Sequence, residues 1–93
     1  MALDPQIVAD LCAQINDLEE IRRQRFLNWL HKHHRAEQPV SIQNLPAYLH
    51  TWLDGLTSEG LQWEYQLLLD EITWWRNLSA ARLWRMLEEE HSQ

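Results

Sequence analysis

Apolar residues recur along this chain with the period of an α-helix. Val8, Leu11, Ile15 and Leu18 follow one another at three- and four-residue steps, and Phe26, Trp29 and Leu30 continue the series. Asp4-Pro5 opens it: an aspartate can accept from free backbone amides, and proline at the first helical position loses no hydrogen bond. The pattern runs to about His34, before a polar stretch and Pro39 stop it. A continuous helix over residues 5–34 would be about 45 Å long. A compact chain of this size is only ~30 Å across. The helix must therefore break or project. The break is expected at Asp17-Leu18-Glu19-Glu20, with Asp17 capping a second helix and Glu20 closing a capping box.

Residues 36–45 read as a linker. Pro46, preceded by Asn44 and Leu45, starts a short amphipathic helix over 46–54 that shows Leu45, Leu49, Trp52 and Leu53 on one face. It stops at Asp54-Gly55, with Gly55 placed for a left-handed cap. Thr57 or Ser58 caps a third helical region over 58–90, whose break candidates are Asn77 and Ser79. The predicted fold is a single all-α domain spanning residues 1–93. It is an antiparallel bundle of two long helices, each with one break candidate, and one short helix.

The third region carries an unusual pattern. Wound as a helix, "LQWEYQLLLDEITWWRNLSAARLWRML" shows two apolar stripes. Leu61, Tyr65, Leu68, Ile72, Trp75, Leu83 and Met86 make one; Trp63, Leu67, Trp74, Leu78 and Ala81 make another, roughly opposite. Gln62, Gln66, Asp70 and Thr73 separate them on one side, Glu64 and Glu71 on the other. An ordinary surface helix has one apolar stripe, so a second implies burial on two sides. The chain has few helices with which to sandwich one of its own. One stripe is expected to pack internally and the other to meet a second copy, giving a homodimer. Trp63, Leu67, Trp74 and Leu78 are the expected protein interface, because tryptophan buries a large area and is enriched at interface hot spots.

Composition supports a folded helical chain. Apolar residues make up 45% of the sequence, enough for a core. Two glycines and three prolines leave little material for turns. The lone Cys12 excludes an internal disulfide and a CxxC zinc site, and beside an apolar face it reads as an inert buried thiol. No apolar run is long enough to span a bilayer, and nothing in "MALDPQIVADL" resembles a secretory leader, so a cytoplasmic protein without membrane contact is expected.

The net charge of −6 is unevenly distributed. Residues 1–20 hold five acids and no base, residues 21–35 five Lys or Arg and no acid, and residues 36–75 six acids and no Lys or Arg. Acids early and bases late in the first long region complement a helix dipole. Arg22, Arg25, Lys32 and Arg35 form a candidate electrostatic dock for an acidic protein, although Arg22 falls on the apolar stripe and needs an acidic partner if buried.

"HKHHR" at 31–35 is the most conspicuous cluster. At ~100° per residue His31 and His34 lie near each other and His33 roughly opposite, so three imidazoles cannot converge on one ion. His33, facing inward, reads as a packed or interfacial residue. The segment "IRRQRFLNWLHKHHR" mixes cations with aromatics, as nucleic-acid grooves do, but the acidic remainder would repel a polyanion. A helix-turn-helix reading of 40–68 fails, because its recognition helix would carry no Lys or Arg. No GxSxG, P-loop or GxGxxG motif occurs, and no cofactor is implied. The expected function is a non-enzymatic interaction module, with a nucleic-acid accessory role through residues 22–35 as the alternative.

Overall fold

The computed structural model describes residues 3–34 and 36–91. Among them the chain forms five helices and no strand. They are α1 (Pro5–Asn16), α2 (Glu20–His34), α3 (Leu45–Asp54), α4 (Ser58–Asn77) and α5 (Ala80–His91). The fold is all-α, but the expected two long helices and one short helix are five separate helices. Each long region breaks once, near Asp17 and after Asn77.

The local chemistry of the breaks differs from the expectation at one site. Asp17 closes α1 instead of capping α2: it is right-handed (φ −72°, ψ −14°) and its amide donates back to Ala13. Glu19 then turns its carboxylate toward Arg22 one turn on. At the other break Leu78 leaves the helical region (φ −61°, ψ 128°), and the Ser79 hydroxyl accepts from the Arg82 amide. The helix starts follow the sequence more closely. Asp4 accepts from the Gln6 amide at 2.9 Å, and Thr57 accepts from the Gly60 amide at 3.1 Å. Asn44 precedes α3 without capping it; its side chain instead accepts from Ser41 N and donates to the Pro39 carbonyl, tying the linker into a turn. Gly55 ends α3 in the right-handed region (φ −84°, ψ −1°), so the expected left-handed cap is absent. The turn closes through the Leu56 amide on Leu53 O.

The core lies where four helices meet. α1 packs on α3, α2 on α4, and α1 touches both α2 and α4. Leu11, Ile15, Phe26, Leu30, Leu45, Leu49, Leu53, Leu68 and Ile72 are its fully buried side chains. Each comes from an apolar stripe visible in the sequence. α5 is held more lightly. Leu83 is its one buried residue, with Met86 partly covered, and a Glu90–Arg25 ion pair ties its far end to α2. The molecule is elongated, 47 × 26 × 23 Å, with a radius of gyration of 14.1 Å.

Candidate functional site

α4 divides the molecule into a covered side and an open one. Its inward face buries Leu68, Ile72 and Trp75. Its outward face presents Trp63 at 73% exposure and Trp74 at 48%, with Leu67 half-buried between them. Consecutive residues on a helix point ~100° apart, so Trp74 and Trp75 part company. Their rings still touch edge to face, with centroids 4.7 Å apart. The inner ring is anchored by its indole N–H, which donates to Glu71 at 3.1 Å. Beyond Trp74 lies a shallow hollow of about 610 Å³, reaching from Asp70 to Arg82.

Leu78, the fourth residue expected on this face, keeps its helical bond to the Trp74 carbonyl and lines the same hollow as Trp74, but at 8% exposure it is covered and offers little contact area. Trp84 on α5, which neither apolar stripe included, is 61% exposed. It sits beside the apolar arc of a strongly amphipathic helix, where a wheel drawn for α5 alone would have found it.

The basic segment is largely consumed inside the protein. Arg22 is buried; its Nη1 donates to the Trp75 carbonyl at 2.7 Å and to the Leu78 carbonyl, and its Nε donates to Glu19. The last carbonyls of a helix lack intrahelical donors. Arg22 reaches from α2 to supply one where α4 stops. It is thus a cap across the bundle, not part of an electrostatic dock. Its position on the apolar stripe required an acidic partner, and Glu19 provides one. Arg25 pairs with Glu90, which raises the guanidinium pKa through the hydrogen bond and draws the carboxyl below its usual range. Arg23 reaches the Asn16 and Leu18 carbonyls at 3.3 and 3.4 Å. Lys32 is exposed, and Arg35 lies outside the described residues.

The histidines have another use. His33 stacks on Trp29 with centroids 4.9 Å apart and meets the edge of Trp52 at 6.4 Å. His34 lies 4.2 Å from the Trp52 ring and 5.4 Å from Tyr48. His33 Nε2 stands 3.7 Å from Glu64 Oε2, too long for a hydrogen bond, and that oxygen has none from any other group. Burial lowers the His34 pKa, with His33 adding to the effect and Glu64 opposing it. Tyr48, whose hydroxyl is buried without a partner, is pushed up to about 12 by the same loss of water. Burial also raises Glu71, while its bond from Trp75 and the nearby His33 pull the other way. Trp29/His33 and Tyr48/Trp52 are i,i+4 pairs, a spacing that places rings together on a helix. That signal was available in the sequence. The cluster that α2, α3 and α4 build from them is a seam at the surface, where His33, expected to face inward, and His34 both remain exposed.

His31 faces away from this seam, its Nδ1 3.0 Å from the Gln38 carbonyl. Among the described residues, no group of three or more His, Cys, Asp or Glu side chains is placed to hold a metal ion. Cys12 is half-covered, and burial raises its pKa, which disfavours the thiolate. No described helix is long and apolar enough to cross a membrane. No protein-family model, curated protein or solved structure matches the chain.

Proposed function

We propose that this chain is a non-enzymatic protein-interaction module, an adaptor, assembly factor or regulator that works in the cytoplasm through helix–helix contacts. The contact surface is the outward face of α4, carried by Trp63, Leu67 and Trp74. The supporting observation is the exposure of two tryptophans on one stripe of a helix whose opposite stripe is already buried in the core. Large exposed apolar side chains grouped on a rigid element mark interaction sites, and tryptophan contributes most there. Catalysis would need a nucleophile beside a base, or a metal cluster, in a water-excluding cleft. The histidines of the α2–α3–α4 seam instead pack against aromatic rings, and the buried Arg22 caps a helix end. A nucleic-acid role through residues 22–35 has less support than the sequence suggested, because Arg22 and Arg25 are already bonded within the chain.

The test is site-directed photo-crosslinking in cells, with a benzophenone amino acid placed at position 63 or 74 and, as a control, at exposed position 13 on α1. Covalent adducts with protein are expected from 63 and 74, not from 13. Adducts should also disappear from position 63 when Trp74→Glu is added. An absence of adducts at both α4 positions would sink the reading.

A further inference from the structure

The charge pattern of the outward α4 face points to a second copy of this chain as its occupant. We propose that two molecules pair through α4 in antiparallel register, related by a two-fold axis near Leu67–Asp70. The inference rests on the interaction-module reading above and names the partner.

Trp63 and Trp74 are eleven residues apart, which on a helix is ~16 Å. A two-fold axis midway between them sets Trp63 of one copy against Trp74 of the other, twice. In an antiparallel isologous pair the same edge of each helix meets itself in reverse, so residue i faces j and j faces i. The polar edge beside the tryptophans carries Glu59, Gln66, Asp70 and Asn77, all exposed. The register that pairs the tryptophans places Glu59 opposite Asn77, with Arg82 in the hollow just beyond, and Gln66 opposite Asp70. Along this edge acid thus meets amide or guanidinium. Gln66 already donates to Asp70 within one copy at 2.9 Å, so the same donor and acceptor suit a contact between copies. Parallel pairing would instead set this edge against the opposite one, bringing Glu59 beside Glu64 of the other copy. Antiparallel helices also oppose their dipoles favourably.

Area limits the strength of this dimer. At 73% and 48% exposure the two indoles offer roughly 200–300 Å² per copy, taking ~150–250 Å² for each whole side chain. A standard interface buries ~800 Å² per partner. The dimer should therefore be weak and depend on concentration.

Light scattering over a concentration series tests association. The average mass should climb from 11.2 kDa toward twice that value, while Trp63→Glu and Trp74→Glu each stay monomeric with unchanged melting temperature. Register is tested by disulfide trapping in a Cys12→Ser background. Glu59→Cys mixed with Asn77→Cys should yield a crosslinked pair that neither variant forms alone. A monomer at every concentration overturns the proposal, as does crosslinking of Glu59→Cys with itself. If the purified chain is monomeric but positions 63 and 74 still crosslink to other proteins in cells, the second-copy inference fails and the interaction-module reading stands. If neither association nor crosslinking occurs, both fail.

Discussion

On the inward face of α4, Leu68 and Ile72 are fully buried and Trp75 is 6% exposed; less than half a turn away, Trp63 and Trp74 stand in solvent. The two faces have nearly the same amino-acid chemistry. The six tryptophans of the chain divide in the same manner: Trp75 is buried, Trp29 and Trp52 are half-covered, and Trp63, Trp74 and Trp84 are exposed. Apolarity measures what a face would gain from being covered. Coverage itself depends on which helices are available, and α1, α2 and α3 reach only one side of α4.

The contrast is broken most directly by truncating matched residues. Leu68→Ala should destabilise the fold by about 2–5 kcal/mol, because it opens a cavity in a closed core. Leu67→Ala, one residue away and half-buried, should cost less than ~1 kcal/mol, as surface changes usually do. Urea titration of both variants decides, and equal losses would mean that the outward face is core after all.

The next effect sharpens where the outward face ends. Arg22→Met removes the donor that serves the Trp75 and Leu78 carbonyls, and hydrogen bonds to a charged group are worth about 1.5–3 kcal/mol. A loss of about 2–3 kcal/mol is expected, with faster amide exchange at Leu78 and Leu83. If exchange there stays slow, the α4–α5 break is held by packing alone.

A smaller effect concerns the histidine seam behind the inward face. Burial depresses the His34 pKa from an ordinary 6.5, so the folded state favours the neutral ring. The unfolded chain takes up the proton first, and stability present above pH ~6.5 is lost as pH falls through the folded value. The melting temperature should fall between pH about 7.5 and about 5.5, and His34→Phe should flatten the slope. Glu71 acts in the opposite sense, since its raised pKa favours the fold as its carboxyl protonates, but only at the lower pH of carboxylates. The two contributions are therefore separable. No change of slope in His34→Phe would remove His34 from the seam's energetics.

The smallest effect is at the edge of the molecule. The Arg25–Glu90 pair is exposed at its glutamate end, and exposed ion pairs contribute little. Arg25→Ala should leave the main unfolding transition in place and speed amide exchange in α5 alone. Faster exchange spread over α2 and α4 would show that α5 is an integral part of the core.

Much of this was legible in the chain. Asp4-Pro5 and Thr57 announced helix starts because capping is a local exchange of a side-chain oxygen for a free amide. The break sites near Asp17 and Asn77 were nominated by local residues, although length alone left open whether each helix broke or projected. The two stripes of α4 followed from periodicity. Even the need of Arg22 for a partner was readable, because a cation on an apolar stripe must be bonded. The candidate site was legible only in part: Trp63, Leu67 and Trp74 offer their stripe, while Leu78 at its end is covered.

What the sequence alone determined is therefore local and periodic: helix type, start sites, the apolar stripes and the places where a helix must stop. These depend on neighbours within about one turn. Only the tertiary structure decided that Leu78 is covered and that Arg22 crosses the bundle to cap α4. It also decided which stripe of α4 is covered. Each of these depends on a group more than fifty residues away or on the competition among faces for a limited number of helices, and hydrophobic periodicity contains no term for either.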